Sequence, residues 1–409
     1  MQPVSDGRSK LERVSLARRA ANLSPTVDAS GHSSGIGFDS GHGFPGIFPD
    51  LTSSAVRALN EYRAETLQYA ERPGMPELRA WIAEYLNSAG ATVGADEILV
   101  VNGAKHGIEL ICRTLLDPGD AIVVTAPTYF TVVPLFRSFE VDFIEVGQDN
   151  EGLDTDELAV TLDRWVRAGR KPPKFVYNVP EFHNPTGLTM SLHRRQALLA
   201  LAHQYGTWIL EDSPYREIRF EGAPEPSLLA LDDQRCVLHV GTFSKLIAPG
   251  IRIGWVVGPV EMLARMMQLK SDGGSSPLLQ RMIFEWLNQG NLPGHIDLAR
   301  GAYQAHRDCM VAALHRDLPE IAFKTPGGGY YVWLTLPGGI DGDELARRAA
   351  DKGVLVIPGS KFYAGSSGGF PNNEGHPRNR LRLTYSYPTE EQINEGVKRL
   401  GAVLRSMRN

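Results

Sequence analysis

Short, nearly unbroken apolar runs recur along this chain, separated by helical patterns, and that alternation restricts the fold more than any other feature. EILVV (97–101), AIVVT (121–125), KFVYNV (174–179), TWILE (207–211), VLHV (237–240) and RIGWVVG (252–258) are each dominated by apolar residues. Strands buried on both faces read this way. Between them, MPELRAWIAEYLNSAG places Leu78, Trp81, Ile82, Tyr85 and Leu86 on one helical face. GAKHGIELICRTLLDPGD is a helix stopped by Pro118-Gly119, and SLHRRQALLALAHQYG is a helix capped by Ser191 and ended by Gly206. Buried strands alternating with helices predict an α/β fold with a mainly parallel sheet. From about residue 296 the texture shifts to longer helices, with YYVWLTL and RLRLTYS as strands, which predicts a smaller α+β C-terminal domain. The expected division is an N-terminal arm and site-lining loop at 1–55, a large domain at 56–295 and a small domain at 296–409. There is no internal repeat, and GSSGGFPNNEGHPRN (365–379) is the one later low-complexity loop.

With 409 residues and 42% hydrophobic content, the chain can bury a large core in two domains. A net charge of −5 argues against a nucleic-acid footprint, and no apolar run approaches the roughly 20 residues of a membrane span. Cys112, Cys236 and Cys309 are odd in number and far apart, which argues against a disulfide framework or a zinc site. The basic stretch LERVSLARRAANL carries Glu12 and lacks an apolar signal core, so an arm is expected there ahead of a transit peptide, and a reducing, cytoplasmic setting follows. Residues 31–50 are rich in Gly, Pro and Ser; the fragment GIGFDS lacks the third glycine of a dinucleotide-binding loop and follows no predicted strand. His32, His42 and His183 show no metal-ligand spacing and read as loop or supporting histidines; Arg378 and Arg380 read as solvated loop charges.

In an open α/β sheet, ligands bind beyond the carboxyl ends of the strands, so the residues delivered there are the candidates. They are Gly103-Ala104-Lys105 at a helix start, Tyr129, Asn184 in HNPTG, Asp212 with Tyr215, and Thr242, Ser244 and Lys245. A lysine at such a mouth can form a Schiff base with an aldehyde cofactor. Pyridoxal phosphate needs a lysine, an acid for its ring nitrogen, donors for its ring oxygen and a phosphate site. Lys245, Asp212, and Tyr215 with Asn184 can supply the first three. Thr242, Ser244, Arg252 and the helix start after Gly103 offer hydroxyls, a guanidinium fork and backbone N–H groups for a phosphate, and Tyr129 can stack on the ring.

SKLIAPGIRIGW, HNPTG, EDSPY, NGAKHGIEL, PTY, QYAERPGMPELR, PGSKFY and RLRLTYS together resemble the fold-type I, aspartate aminotransferase-like, pyridoxal-phosphate-dependent aminotransferases of classes I and II. The texture is similar to the kynurenine/2-aminoadipate branch over about residues 40–400. The resemblance implies Lys245 as the Schiff-base lysine and general base, Asp212 on the ring nitrogen, and Asn184 and Tyr215 on the ring oxygen. It implies Tyr129 stacking, and Thr242, Ser244 and Arg252 on the phosphate, beside the helix start at Gly103, Ala104 and Lys105. Arg382 would grip the substrate α-carboxylate, with Asn184 beside it. Tyr69 would reach the phosphate of a neighbouring subunit, so a homodimer with shared sites is implied. The implied reaction moves the amino group of an L-amino acid to a 2-oxo acid by ping-pong chemistry.

Three departures stand out. Ala104-Lys105 replaces the family's usual Ser-Gln, His183 stands where Gln is usual, and residues 24–27 (SPTV) lack the arginine that serves a distal carboxylate. They leave open another outcome on the same cofactor: β- or γ-elimination or replacement, cyclisation, decarboxylation or oxidation. A cofactor-binding transcriptional regulator is disfavoured by the short N-terminal arm and the negative charge, and an idle scaffold by the intact residue set.

Overall fold

The computed structural model describes residues 17–21, 35–365 and 376–408. His32, residues 24–27, most of the N-terminal arm and most of the 365–379 loop lie outside the described residues. A two-residue strand β1 (Ile36–Gly37) interrupts the irregular segment that follows the arm. The large sheet comprises β2 (Ile98–Val101), β3 (Ala121–Ala126), β4 (Asp142–Asp149), β5 (Gly152–Leu153), β6 (Phe175–Asn178), β7 (Trp208–Asp212), β8 (Val237–Thr242) and β9 (Gly254–Val257). Their order is β2-β9-β8-β7-β6-β3-β4-β5. The run from β8 through β7, β6 and β3 to β4 is parallel, while β9 lies antiparallel between β2 and β8. All the predicted strands of this sheet form.

The strand β4 escaped the sequence reading because Glu145 interrupts its apolar run. That carboxylate is buried and serves the tertiary fold, accepting from the Ala364 backbone N–H at 2.7 Å and lying 3.2 Å from His376. Helices cover both faces. The helix Leu192–Tyr205 starts where Ser191 accepts from the Arg194 N–H and stops at Gly206, whose φ of +64° only glycine adopts without strain.

A second, antiparallel sheet is ordered β10-β11-β14-β13, from β10 (Ala322–Phe323), β11 (Tyr331–Thr335), β13 (Ile357–Pro358) and β14 (Arg380–Thr384), while β12 (Val354–Leu355) pairs in parallel with β1. The helices Leu292–Asp317 and Glu390–Arg408 close its core through Met310, Leu314, Val397 and Leu404. Arg380 is therefore not a solvated loop charge: it sits half-buried in β14, where alternation turns Arg382 to the opposite face from Leu381. Arg378 is an exposed ion pair with Asp341 at 2.6 Å.

Between β6 and the helix Leu192–Tyr205, a buried ion cluster fixes the loop that carries Asn184. Arg195, with no exposed surface, donates to Glu181 at 2.9 Å and to the carbonyls of Met190, Pro180 and Pro226; Arg216 donates to the same carboxylate oxygen at 2.8 Å. Removing the carboxylate strands a buried cation. Glu181→Ala is expected to cost about 3–5 kcal/mol, read as a lowered denaturation midpoint. An unchanged midpoint would contradict this account of the loop.

Candidate active site

The carboxyl ends of the parallel strands deliver their side chains to one place. Lys245 leaves the turn after β8 and donates from Nζ to the Gly41 carbonyl at 2.5 Å, with Nζ 5.5 Å from the centre of the Tyr330 ring. Burial holds its ammonium below the ordinary lysine value, and the guanidinium groups of Arg382 and Arg252 add to this, opposed by Tyr331 and Asp212. Asp212 closes β7. Its Oδ2 accepts from the Tyr177 hydroxyl at 2.8 Å, while its Oδ1 is buried without a partner. Burial raises this carboxyl to about 6, with the Tyr177 hydroxyl, His239 and Lys245 pulling the other way.

A cradle lies beside Lys245 at the start of the helix Ala104–Leu115. Gly103 precedes it at φ +84°, and a Cβ there would stand 2.7 Å from Arg252 Nη2. Arg252 is outside β9, at the end of a short 3-10 turn with φ +54°, and donates to the Asn102 carbonyl at 2.9 Å and to Ser244 Oγ at 3.5 Å. Thr242 differs from the expectation. Its hydroxyl proton goes to the Ile253 carbonyl at 3.2 Å, and its oxygen accepts from the Ser244 N–H at 3.1 Å, so it shapes the turn and has no proton left for an anion. Ala104 is half-buried and Lys105 exposed.

The second sheet contributes the opposite wall. Arg382 is 1% exposed, donates to Asn184 Oδ1 at 3.2 Å and to the Asp39 carbonyl, and stacks 4.3 Å from the Tyr331 ring centre with Phe130 and Phe362 alongside. Its Nε and the Asn184 Nδ2 are buried without partners. Tyr215 donates to the Tyr331 hydroxyl at 3.3 Å. Tyr129 lies edge-on to Phe130, and burial raises its hydroxyl to about 12. Tyr69 is 89% exposed, away from this cluster. His42 is exposed. His183 is a core group: its Nε2 meets Thr125 at 3.0 Å and Gln148 at 3.1 Å, and burial lowers it to about 3, so the imidazole is neutral.

Four contributors went unread in the sequence: Tyr331, Tyr177 and the carbonyls of Asp39 and Gly41. A tyrosine near the carboxyl end of a buried strand was a usable signal for Tyr177, since its hydroxyl must find a polar partner. Backbone carbonyls give no such signal.

The unpartnered atoms fit pyridoxal phosphate. An anionic acceptor (Asp212 Oδ1) suits a protonated ring nitrogen, and an amide donor (Asn184 Nδ2) suits a ring oxygen. The arginine and helix start beside Gly103 suit a phosphate. Fold and site thus define a fold-type I, aspartate aminotransferase-like enzyme that uses pyridoxal phosphate. Residues 46–400 match the family "Aminotransferase class I and II", and the chain belongs to it. It is 32% identical over 409 residues to aromatic-amino-acid aminotransferase 1 of Thermococcus litoralis, covering 98% of this chain and 96% of that one. It is 32% identical over 379 residues to 2-aminoadipate transaminase of Thermus thermophilus, covering 91% and 90%. The solved structure of Pyrococcus horikoshii kynurenine aminotransferase superposes with a TM-score of 0.90 at 33% identity, covering 98% of this chain and 99% of that one. The protein is an aminotransferase that moves amino groups between amino acids and 2-oxo acids. Nothing in these relatives favours elimination, decarboxylation or oxidation. Among the described residues no helix is long and apolar enough to cross a membrane.

Proposed function

We propose that the enzyme transaminates an L-amino acid with an aromatic or large apolar side chain, in two half-reactions on one site. The observation that carries this reading is the meeting of Arg382, Asp212 Oδ1 and Asn184 Nδ2 beside the Lys245 amine, with Phe130, Phe362 and Tyr331 walling Arg382. Relatives named for aromatic amino acids and kynurenine support the side-chain class.

When bound, pyridoxal phosphate supplies an aldehyde that condenses with amines and a ring that draws electrons from the α-carbon. Asp212 Oδ1 would accept from its ring N–H and Asn184 Nδ2 would donate to its ring oxygen, joined by Tyr215 once its hydroxyl turns from Tyr331. Tyr129 would stack against its face. Ser244, Arg252 and the N–H groups of Ala104 and Lys105 would hold its phosphate, with Gly103 allowing the close approach and Thr242 setting the turn. Arg382 takes the substrate carboxylate through its planar fork and Asn184 orients it. Lys245, its pKa lowered by burial, is the base that removes the α-proton and returns it on the other side of the transfer. Water is kept from the amine by Tyr330, Tyr331 and the segment around Gly41.

We read residues 56–295 as the cofactor-bearing domain, 296–409 as the smaller one and 1–55 as an arm whose end lines the site. Tyr69, exposed beside the 62% exposed Leu67, supports a homodimer in which this hydroxyl reaches the partner's phosphate. Three free thiols, Cys112, Cys236 and Cys309, support a cytoplasmic setting.

A panel of amino acids with 2-oxoglutarate tests the reaction and the substrate class together. Phenylalanine, tyrosine and kynurenine are expected to exceed 2-aminoadipate by about tenfold or more in kcat/KM, as expected where an apolar pocket must take a charged group. Arg382→Ala should lower kcat/KM by about 2–5 kcal/mol, mostly through KM. Ammonia released with no oxo-acid acceptor would sink the transamination reading. A preference for 2-aminoadipate would sink the side-chain assignment alone.

A further inference from the structure

The amino edge of the large sheet, opposite the edge bearing Lys245, holds a side-chain cluster that transamination does not use. His203 lies in the last turn of the helix Leu192–Tyr205, Asp232 follows the short helix Leu228–Leu231, and Cys236 immediately precedes β8. His203 Nε2 and Cys236 Sγ each lie 3.6 Å from Asp232 Oδ1, and the three atoms fall within 4.8 Å of one another. The carboxylate is fixed from behind: Oδ2 accepts from the Val237 N–H at 2.8 Å and Oδ1 from the Gln234 N–H at 3.1 Å. His203 Nε2 is buried with no hydrogen-bond partner. That atom is the anomaly, since a ring nitrogen out of water normally finds a partner.

We propose that His203, Asp232 and Cys236 form a binding site for a zinc-type divalent cation, with the fourth position left to water. Zinc bonds of about 2.0–2.3 Å in a tetrahedron set neighbouring ligand atoms roughly 3.3–3.6 Å apart, and the two contacts at 3.6 Å match. A nitrogen, an oxygen and a sulfur suit zinc, whereas calcium and magnesium prefer oxygen alone. Charge closes as well: carboxylate and thiolate together neutralise a divalent ion, and the thiol proton leaves to solvent as the metal–sulfur bond forms.

A nucleophilic role for Cys236 fits less well. Burial, together with Asp232 and Asp233, pushes its thiol up to about 12, so the free thiol is a poor nucleophile; a bound cation reverses that preference locally. The ligands come from two segments, the helix end at His203 and the loop 232–236, and only one of them is a cysteine, which is why cysteine spacing alone spoke against zinc. A bound ion would tie the end of a surface helix to the start of β8 and leave the reacting groups untouched.

Titrating the purified holoenzyme with zinc ion alone, by calorimetry, tests the site. One equivalent is expected to bind the wild type and the Cys309→Ser control alike. Cys236→Ser and His203→Gln should each weaken that binding by at least about tenfold, given that even groups supporting metal ligands are worth about 10–100-fold. Zinc should raise the melting temperature of the wild type and not of the two variants. Retained transaminase activity shows that the variants are folded. No stoichiometric binding by the wild type, or equal binding by all four proteins, overturns the proposal.

Discussion

Lys245→Ala is expected to abolish amino transfer, lowering kcat by at least about 10⁴-fold, and to remove the visible absorption of the lysine-bound cofactor. The buried amine stands in a site where three cationic groups, Lys245, Arg252 and Arg382, face one buried carboxylate, Asp212. Neither Arg252 nor Arg382 duplicates its function, because a guanidinium is a donor with no lone pair to take a proton. Substrate binding should survive, since Arg382 and Asn184 remain. The discriminating measurement is therefore single-turnover chemistry alongside equilibrium binding of a substrate. A variant that still cycles amino groups would refute the role given to Lys245.

Asp212→Asn carries the second large effect. A neutral amide cannot keep the pyridine ring protonated, and kcat should fall by at least about 10²-fold, the loss typical of removing one preorganised electrostatic group. The same residue leaves a mark on the cofactor-free protein. Its carboxyl sits at about 6 in the fold against an ordinary 3.8, so the folded state holds the proton more tightly than the unfolded chain. Asp212 therefore contributes stability that is complete below the unfolded value and lost as pH rises through about 6, on the order of 3 kcal/mol. Thermal denaturation of cofactor-free protein across that window should show the decline in the wild type and a flatter profile in Asp212→Asn. Identical profiles would mean that Asp212 does not titrate there.

How much of this was legible follows from where each signal resides. Buried strands write themselves as apolar runs, so β2 and the parallel strands β3, β6, β7 and β8 could be found, and the residues just after them could be named as site candidates. The strand β4 could not, because its buried Glu145 looks like a surface residue until Ala364 and His376 are brought to it. The antiparallel setting of β9 has no local signature, since its pattern is the same in either direction. Lys245, Asp212 and Asn184 were nameable from side-chain chemistry at the strand ends, and Arg382 only through the family resemblance. Gly41 and Asp39 act through carbonyls that every residue has, and only the path of the chain selects them. Thr242 was read by its hydroxyl without knowing where the proton points. Tyr331 was hidden because a tyrosine in a strand ordinarily packs.

The exposure of Tyr69 has a genetic consequence on the reading in which two copies share their sites. In a mixed pair, one chain altered at Lys245 and the other at Tyr69 bring both lesions into the same site and leave the second site whole. Two alleles that each cripple the enzyme alone then complement one another, while two alleles altered at Lys245 never do. On that reading the active unit of inheritance is the pair of chains, and a defect counts according to which of the two sites it enters.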